Sequence, residues 1–237
     1  MTFSASFSKM AIVVVDYATN ADTVKHMQRS YFMLITIDGK NGQGKSTSGS
    51  LLAKRLGIEF FSTGLLIRFL AHNYKRLSAE GLTEDDIFKY LYTIISVDTI
   101  TFLKGRDNSD LYDIQLAEYF GTITSNKKML SIVDNALREY SNDKDVVYDG
   151  RNLFEIFPEA DFKFFFQSTD ERRREILQYS NNISQERALN KLKIRDSQER
   201  QFDIPYSKLI VIDPFSHPLE EVIDIMYEKI KDGKENG

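Results

Sequence analysis

Cysteine is absent from the 237-residue chain, which excludes a disulfide framework and any metal site built from thiolates. Long apolar runs are absent too, since none approaches the ~18–20 residues that a membrane-spanning helix needs. The run AIVVV at 11–15 is too short for the apolar region of a signal peptide, and Asp16 follows it at once. Together these absences predict a cytoplasmic protein with no membrane partner.

A strong charge of either sign is also missing. The net charge is −4, and the shares of hydrophobic and charged residues, 42% and 28%, are ordinary for a globular protein. Such a balance gives no reason to expect a general nucleic-acid binder, so small molecules are the expected partners. The length fits one substantial domain, or one domain with a small insert, and we expect a monomer.

From Met33 onward, short apolar runs alternate with helical patterns. The runs are β-branched or aromatic and apolar throughout, which indicates strands that are covered on both faces. Strands alternating with helices predict an α/β fold, a parallel sheet with helices on both faces. Thr83 and a capping box at 168–171 indicate two helix starts. The predicted strands are 33–37, 58–61, 145–148, 161–166 and 208–212, and the predicted helices are 45–56, about 64–77, 84–95, about 110–140, 169–202 with a break, and 218–231.

Two stretches fall outside this alternation. Residues 1–32 are unlike the rest of the chain, and we interpret them as an N-terminal extension to a domain at 33–237. An additional edge strand at 11–15 is the alternative. The stretch at about 64–140 is too long for a simple crossover between two strands, so it predicts an inserted helical region.

The stretch DGKNGQGKST at 38–47 follows the first predicted strand directly. Within it, Gly39 to Ser46 match G-x-x-x-x-G-K-[ST] in full, between a strand and a helix as the motif requires. Glycines let the backbone turn tightly and direct N–H groups at anionic oxygens, and the start of the following helix adds its positive dipole end. The motif therefore predicts a phosphate-binding loop. Its expected ligand-binding residues are Gly39, Lys40, Asn41, Gly42, Gln43, Gly44, Lys45, Ser46 and Thr47.

The chemistry of this loop suits a nucleoside triphosphate with a metal ion. Lys45 is expected to be catalytic and to bridge the β- and γ-phosphates of ATP, and the Ser46 hydroxyl is expected to ligate Mg²⁺. A GTPase is disfavoured because Met129 stands where the base-reading Asp belongs in the N-K-x-D-like stretch at 126–129. A motor or transport ATPase is disfavoured because no predicted strand ends in an acidic pair. A small P-loop kinase remains.

A kinase must neutralise two polyanions, so it needs cations opposite the phosphate loop. Arg68 follows the second predicted strand, and Arg151 follows the third, at the carboxyl edge of the sheet where ligands bind. A third set lies in 172–200, where cations recur at i, i+4 and i+8 from Arg187. That helix face is either a solvated surface or an arginine-bearing lid over the nucleotide.

In sequence and order, several stretches resemble bacterial cytidylate kinases. They are ITIDGKNGQGKST, LLAKRLGIEFFSTGLLIR, VVYDGRNLFEIFPEADFKFFFQSTDERRR, IRDSQERQF and KLIVID, and the likeness runs from about residue 33 to 230. The loop alone marks only a superfamily, whereas S-T-G-x-x-x-R paired with D-G-R-x…F-P-[ED]-A is far more particular. The resemblance implies a P-loop kinase fold with a five-stranded parallel sheet, an acceptor-binding insert and a mobile helical lid at about 178–203. It also implies an ATP- and Mg²⁺-dependent nucleoside monophosphate kinase that acts on CMP or dCMP.

The resemblance also assigns roles to the acceptor side. Thr63, Arg68 and Asn152 are expected to bind the acceptor nucleotide, with Arg68 at its phosphate. Arg151 is expected to bind acceptor phosphate as a catalytic residue. Asp149, also expected to be catalytic, is expected near the Mg²⁺ and the acceptor oxygen. In the lid, the expected catalytic arginines around the transferring group are Arg195 and Arg200.

Three positions depart from the pattern of the cytidylate kinases. Ser62 and Asn152 each stand where an Asp is usual, and Ile67 stands where a Tyr is usual. Phosphate-handling residues are therefore retained while base-handling positions have changed, which is how specificity shifts. Two alternatives stay open. One is the same fold with another nucleotide or an alcohol as acceptor, for which Asp149 would be the base, and the other is a non-catalytic nucleotide-binding protein.

Overall fold

The computed structural model describes residues 32–181, 186 and 206–235. Its strands are β1 Leu34–Gly39, β2 Glu59–Ser62, β3 Val146–Asp149, β4 Phe162–Phe166 and β5 Ile210–Ile212. They form one parallel sheet in the order β2-β3-β1-β4-β5. The five predicted strands are thus confirmed in order, with their ends shifted by no more than two residues.

Helices pack on both faces of this sheet, as predicted. They are α1 Lys45–Leu56, α2 Thr63–Ala79, α3 Glu84–Thr93, α4 Val97–Gly105, α5 Ala117–Ser125, α6 Lys127–Tyr140, α7 Leu153–Ile156, α8 Asp170–Asn181 and α9 Leu219–Glu235, with short 3₁₀ turns at Ser109–Tyr112, Ile114–Leu116 and Tyr206–Lys208. In the described part of the chain, no helix combines the length and the apolar character that crossing a membrane requires.

Strand β1 is buried along its whole length, and its side chains alternate between two cores. Ile35 and Ile37 pack into one core with α1 and α9, whereas Leu34 belongs to a second core with the helices between β2 and β3. Because successive side chains of a strand face opposite sides of the sheet, Thr36 and Asp38 share the face of Leu34. Burial on both sides explains why three of the first four residues of the strand are apolar.

Between β2 and β3 the chain forms the predicted helical insert, from α2 to α6. The single helix predicted at about 110–140 is wrong, because two 3₁₀ turns precede α5 and the helix is interrupted at Asn126, between α5 and α6. The break has a local cause: the Asn126 side chain accepts a hydrogen bond of 2.9 Å from the N–H of Met129 and so caps α6. Helix α4 has no counterpart among the predicted helices, and Ser96 caps it by accepting from the N–H of Thr99. The stretch that begins like a guanine-reading motif is therefore a helix cap.

The two predicted helix starts have different outcomes. Thr83 caps α3 as predicted, since its hydroxyl oxygen accepts a 3.3 Å bond from the N–H of Asp86. The capping box predicted from Ser168 is wrong by one residue, because Thr169 accepts from the N–H of Arg172 and α8 starts directly after it. With Thr169 as the cap, Arg172 rather than a Glu occupies the third helical position, so the reciprocal bond of a capping box cannot form.

The carboxyl ends of the central strands meet at one edge of the sheet. Asp149 of β3 lies in register with Ile37 of β1 and with Ser62 of β2. The glycine loop leaves β1 at this edge, and the residues that follow β2 and β3 leave beside it. In sheets of this kind, ligands bind in the crevice outside the carboxyl ends of the strands. This edge therefore holds the predicted donor and acceptor residues.

Two predicted segments lie mostly or wholly outside the described residues. The predicted extension at 1–32 is described at Phe32 alone, so its role stays a prediction. Most of the predicted lid at about 178–203 is likewise outside them, so its position stays a prediction too. The cations predicted there that fall outside are Arg187, Lys191, Arg195 and Arg200.

Candidate active site

The loop between β1 and α1 has the backbone conformation that its motif demands. Gly42 and Gly44 have φ angles of 76° and 74°, in the left-handed region that residues with a Cβ rarely adopt. Gly44 immediately precedes Lys45, the first residue of α1, so the loop turns directly into the start of that helix. The positive end of the α1 dipole is thereby placed at the loop, where it favours phosphate oxygens.

The Lys45 side chain lies against the backbone of this loop. It is buried, and its ammonium group donates hydrogen bonds to the carbonyl oxygens of Gly39 at 2.6 Å and of Lys40 at 2.8 Å. An ammonium has three donors on a flexible stem, so it can exchange carbonyl partners for phosphate oxygens. Its place beside the loop suits the bridging of ATP phosphates, a role that stays a prediction.

A hydroxyl and a carboxylate face each other beside the loop. Ser46 Oγ donates to Asp149 Oδ2 at 2.6 Å. Asp149 is buried, and its Oδ1 has no hydrogen-bond partner among the described residues. Such oxygens suit Mg²⁺, which in kinases takes one or two protein ligands and fills its other positions with phosphate oxygens and water.

The segment after β3 packs closely on the start of α2. A Cβ at Gly150 would lie 2.2 Å from Thr63 Oγ1, so only glycine fits between the two elements. The Gly150 N–H also donates to the carbonyl oxygen of Ile37 at 3.1 Å, which attaches the segment to β1. Thr63 is buried at this contact, with 8% of its surface exposed. The start of α2 and the residue before Arg151 are thus brought into contact.

Asn152 adopts a conformation that is uncommon for a residue with a side chain. Its φ of 58° is the one positive value at a non-glycine residue in the described ranges. Asn tolerates this region better than most residues, and α7 begins directly after it. The Asn152 side chain makes no capping bond to α7. A role for it in binding the acceptor stays a prediction.

The guanidinium of Arg68, on α2, packs against two aromatic rings of the insert. Its Cζ atom is 4.7 Å from the ring centre of Tyr112 and 5.4 Å from that of Phe120. Tyr112 is 63% exposed, so much of its surface is open to solvent. An exposed ring beside a cation suits a ligand that carries both a planar ring and a phosphate.

Asp38, the residue before the loop glycine Gly39, is not among the site residues that the sequence predicted. It is 1% exposed, and its Oδ1 and Oδ2 accept hydrogen bonds of 2.9 Å from the N–H groups of Leu153 and Phe154. Burial raises the pKa of Asp38 to about 6, although the two backbone bonds and the charge of Lys45 oppose the rise. The signal in the sequence was an acidic residue directly after the run MLITI.

Arg173, in the first turn of α8, is a second residue missing from the predicted site. Its side chain is fully buried, Nε donates to the carbonyl oxygen of Asn41 at 2.9 Å, and Nη1 donates to Asp170 Oδ1 at 2.8 Å. The guanidinium therefore ties the phosphate loop to the start of α8. Nothing in the run RRR at 172–174 distinguishes the buried arginine from its neighbours, because burial depends on tertiary packing.

Comparisons with known proteins identify the family. The cytidylate kinase family model matches residues 35–232. The chain belongs to the cytidylate kinase family. The cytidylate kinase of Pseudothermotoga lettingae is 32% identical over 219 residues, which cover 84% of this chain and 96% of that protein. The cytidylate kinase of Thermotoga maritima is 27% identical over 215 residues, with 84% of this chain and 96% of that protein covered.

A comparison of structures bears on the fold. An uncharacterized protein from Eubacterium ventriosum has a solved structure that matches with a TM-score of 0.52 and 14% identity, covering 84% of this chain and 98% of that one. At that identity the likeness shows the fold alone. The five-stranded parallel sheet, the glycine loop and the family together show a P-loop kinase fold and a kinase that carries out nucleotide phosphoryl transfer.

Proposed function

We propose that the protein transfers the γ-phosphoryl group of ATP to a nucleoside monophosphate, with CMP or dCMP as the acceptor. The observation that carries the proposal is that two cationic sets share one sheet edge. Lys45 begins α1, directly after the loop that follows β1, whereas Arg68 and Arg151 lie on the segments that follow β2 and β3. Transfer between two polyanions requires a site for each of them. Membership of the cytidylate kinase family supports CMP as the choice of acceptor.

In this proposal the side chains act by holding charge rather than by moving protons. Lys45 neutralises the donor phosphates, and Arg68 and Arg151 hold the acceptor phosphate in line with them. The attacking oxygen of a phosphate is already anionic, so no strong general base is needed. Mg²⁺, when bound at Ser46 and Asp149, would supply charge neutralisation for the transferring group.

The test is a coupled assay of ADP release with CMP, dCMP, the other nucleoside monophosphates and small alcohols. We expect release with CMP or dCMP. Lys45→Ala should abolish transfer without unfolding the protein, whereas Lys54→Ala, exposed in the last turn of the same helix, should keep it. Full activity of Lys45→Ala contradicts the mechanism. Arg151→Ala should lower kcat/KM by orders of magnitude, and an unchanged value would remove Arg151 from the site.

A different acceptor on the same fold is the second candidate. One observation favours it: Asp149 Oδ1 is buried without a hydrogen-bond partner among the described residues, so a carboxylate oxygen is available to take a proton from an alcohol. The departures at Ser62, Ile67 and Asn152 also point to a changed acceptor. ADP release with another nucleotide or an alcohol, but not with CMP, decides for this candidate. ATP binding without turnover on any acceptor would instead support a non-catalytic nucleotide-binding protein.

The proposal includes a monomer in the cytoplasm. Light scattering after gel filtration measures the first property, and fractionation of cells measures the second. Neither property affects the assignment of the acceptor.

A further inference from the structure

Asp38 is the one acidic residue of β1, and it lies where the sheet passes into the phosphate loop. The next residue, Gly39, is the first of the loop motif. Asp38 is buried on the face of the sheet that carries the core of the insert. A buried carboxylate is unfavourable unless hydrogen bonds compensate for the lost water. The hydrogen-bond partners of the Asp38 carboxylate therefore indicate its role.

Both oxygens of Asp38 bind the same short helix. Oδ1 accepts from the N–H of Leu153 and Oδ2 from the N–H of Phe154, each at 2.9 Å. These are the first two N–H groups of α7, which have no carbonyl partner within a helix. Asn152 provides no side-chain cap, so the carboxylate of Asp38 takes that place from a distant part of the sequence.

Arg151 and Asn152 lie between two attachments to β1. On one side, the Gly150 N–H donates to the carbonyl oxygen of Ile37 at 3.1 Å. On the other side, Asp38 holds the first turn of α7. Between these attachments the chain bends, with Asn152 in the left-handed conformation. A short segment held at both ends by the strand that leads into the phosphate loop has little freedom to move relative to that loop.

We propose that Asp38 is a positioning residue that holds Arg151 in a fixed place relative to the phosphate loop. The inference rests on the proposed function, because it takes Arg151 to bind the acceptor phosphate. In this role Asp38 touches neither nucleotide. It holds α7, and through α7 the backbone that carries Arg151. One carboxylate thus links the donor loop, which starts at Gly39, to the acceptor side.

Asp38→Asn is the test variant, and Thr36→Val is its matched control. Asparagine keeps the shape of Asp38, but only one of its two terminal atoms can accept a hydrogen bond. Thr36 is buried on the same face of the same strand, and its hydroxyl has no hydrogen-bond partner among the described residues. We expect Asp38→Asn to lower kcat/KM for the acceptor by about 10- to 100-fold. The Kd of a fluorescent ATP analogue should stay unchanged, and Thr36→Val should alter neither value.

A double variant separates positioning from a general structural role. If Asp38 acts through Arg151, then Asp38→Asn combined with Arg151→Ala should be no slower than Arg151→Ala alone. Losses that multiply would overturn the proposal, as would an unchanged kcat/KM in Asp38→Asn.

Hydrogen exchange provides a readout that does not depend on activity. The amides of Leu153 and Phe154 should exchange slowly in the wild-type protein and faster in Asp38→Asn. Fast exchange of both amides in the wild type would overturn the proposal, even where Asp38→Asn does not fold. If the proposed function is wrong, the wild type will release no ADP with any nucleoside monophosphate. The exchange rates of the Leu153 and Phe154 amides would still show whether Asp38 holds α7.

Discussion

Replacing Gly150 by alanine should force apart the two elements that carry the predicted acceptor-binding residues. The added Cβ would lie 2.2 Å from Thr63 Oγ1 and 3.3 Å from the Cδ1 and Cδ2 atoms of Leu153. Atoms do not approach as closely as the first of these distances without a shift, so either the Thr63 side chain or the backbone must move. Thr63 is buried and β-branched, so rotation of its hydroxyl is restricted by its own methyl group.

The size of the effect follows from the kind of clash. Overpacking of a well-packed site costs about 1–3 kcal/mol. For a domain of this length, 1 kcal/mol corresponds to about 2–4 °C, so Gly150→Ala should lower Tm by about 2–12 °C. Gly121→Ala is the matched control, because no atom lies within 4 Å of a Cβ added there, inside α5. That change should raise Tm by about 2–4 °C, since alanine favours a helix over glycine by about 1 kcal/mol.

Two measurements test this prediction. Thermal unfolding by calorimetry gives Tm, and steady-state kinetics gives the KM of each substrate. We expect the acceptor KM to rise more than the ATP KM, because the displaced segment carries Arg151. Thr63→Ala removes the clashing oxygen, so Gly150→Ala should cost less stability in that background, with a coupling of about 0.5–3 kcal/mol. Unchanged Tm and KM values in Gly150→Ala would refute the close contact.

Three further changes have measurable outcomes. Arg173→Met removes the buried donor to the Asn41 carbonyl, so the KM for ATP should rise by about 10-fold while the KM for the acceptor stays unchanged. Steady-state kinetics with both substrates varied measures the two KM values, and an unchanged KM for ATP would contradict the prediction. Burial raises the pKa of Asp134 to about 6 against the opposing charge of Arg138, so the ionised carboxylate opposes folding above that pH. Asp134→Asn should raise Tm at neutral pH, and this increase in Tm should shrink as the pH falls from about 6 to 3.8, the ordinary pKa of an aspartate. An increase in Tm that persists in stronger acid would contradict the raised pKa of Asp134. Tyr112→Ala should raise the KM for the acceptor by about 2- to 5-fold and leave the KM for ATP unchanged, whereas Tyr112→Phe should be close to the wild type. Equal changes in both KM values would show that the ring does not act on the acceptor side.

Element order was predictable because its signals are local. Apolar runs of strand length, separated by helical patterns, require a parallel sheet covered on both faces. Helix boundaries inside the insert were less predictable. Asn126 is tolerated within a helix and also favoured as a cap. Which of the two it becomes depends on whether its side-chain oxygen reaches the N–H of Met129. The capping box at Ser168 failed for a similar reason, since Thr169 offers the same hydroxyl one residue later.

The phosphate side of the site was more predictable than the acceptor side. Gly42, Gly44 and Lys45 lie within four consecutive residues, and their places follow from the backbone conformation that the loop motif needs. On the acceptor side, Arg68 was predicted, but its packing against Tyr112 joins two distant stretches of the insert. No local pattern encodes a contact of that kind.

The sequence by itself determined the strand order along the chain, the glycine loop, and the presence of cations after the second and third strands. Each depends on neighbouring residues, whose spacing specifies a backbone conformation. Tertiary structure alone decided that Asp38 holds the start of α7, that Gly150 lies against Thr63, and that Arg173 is the buried arginine of its run. These contacts join residues far apart in the chain, and they form only when the sheet brings the carboxyl ends of its strands to one edge.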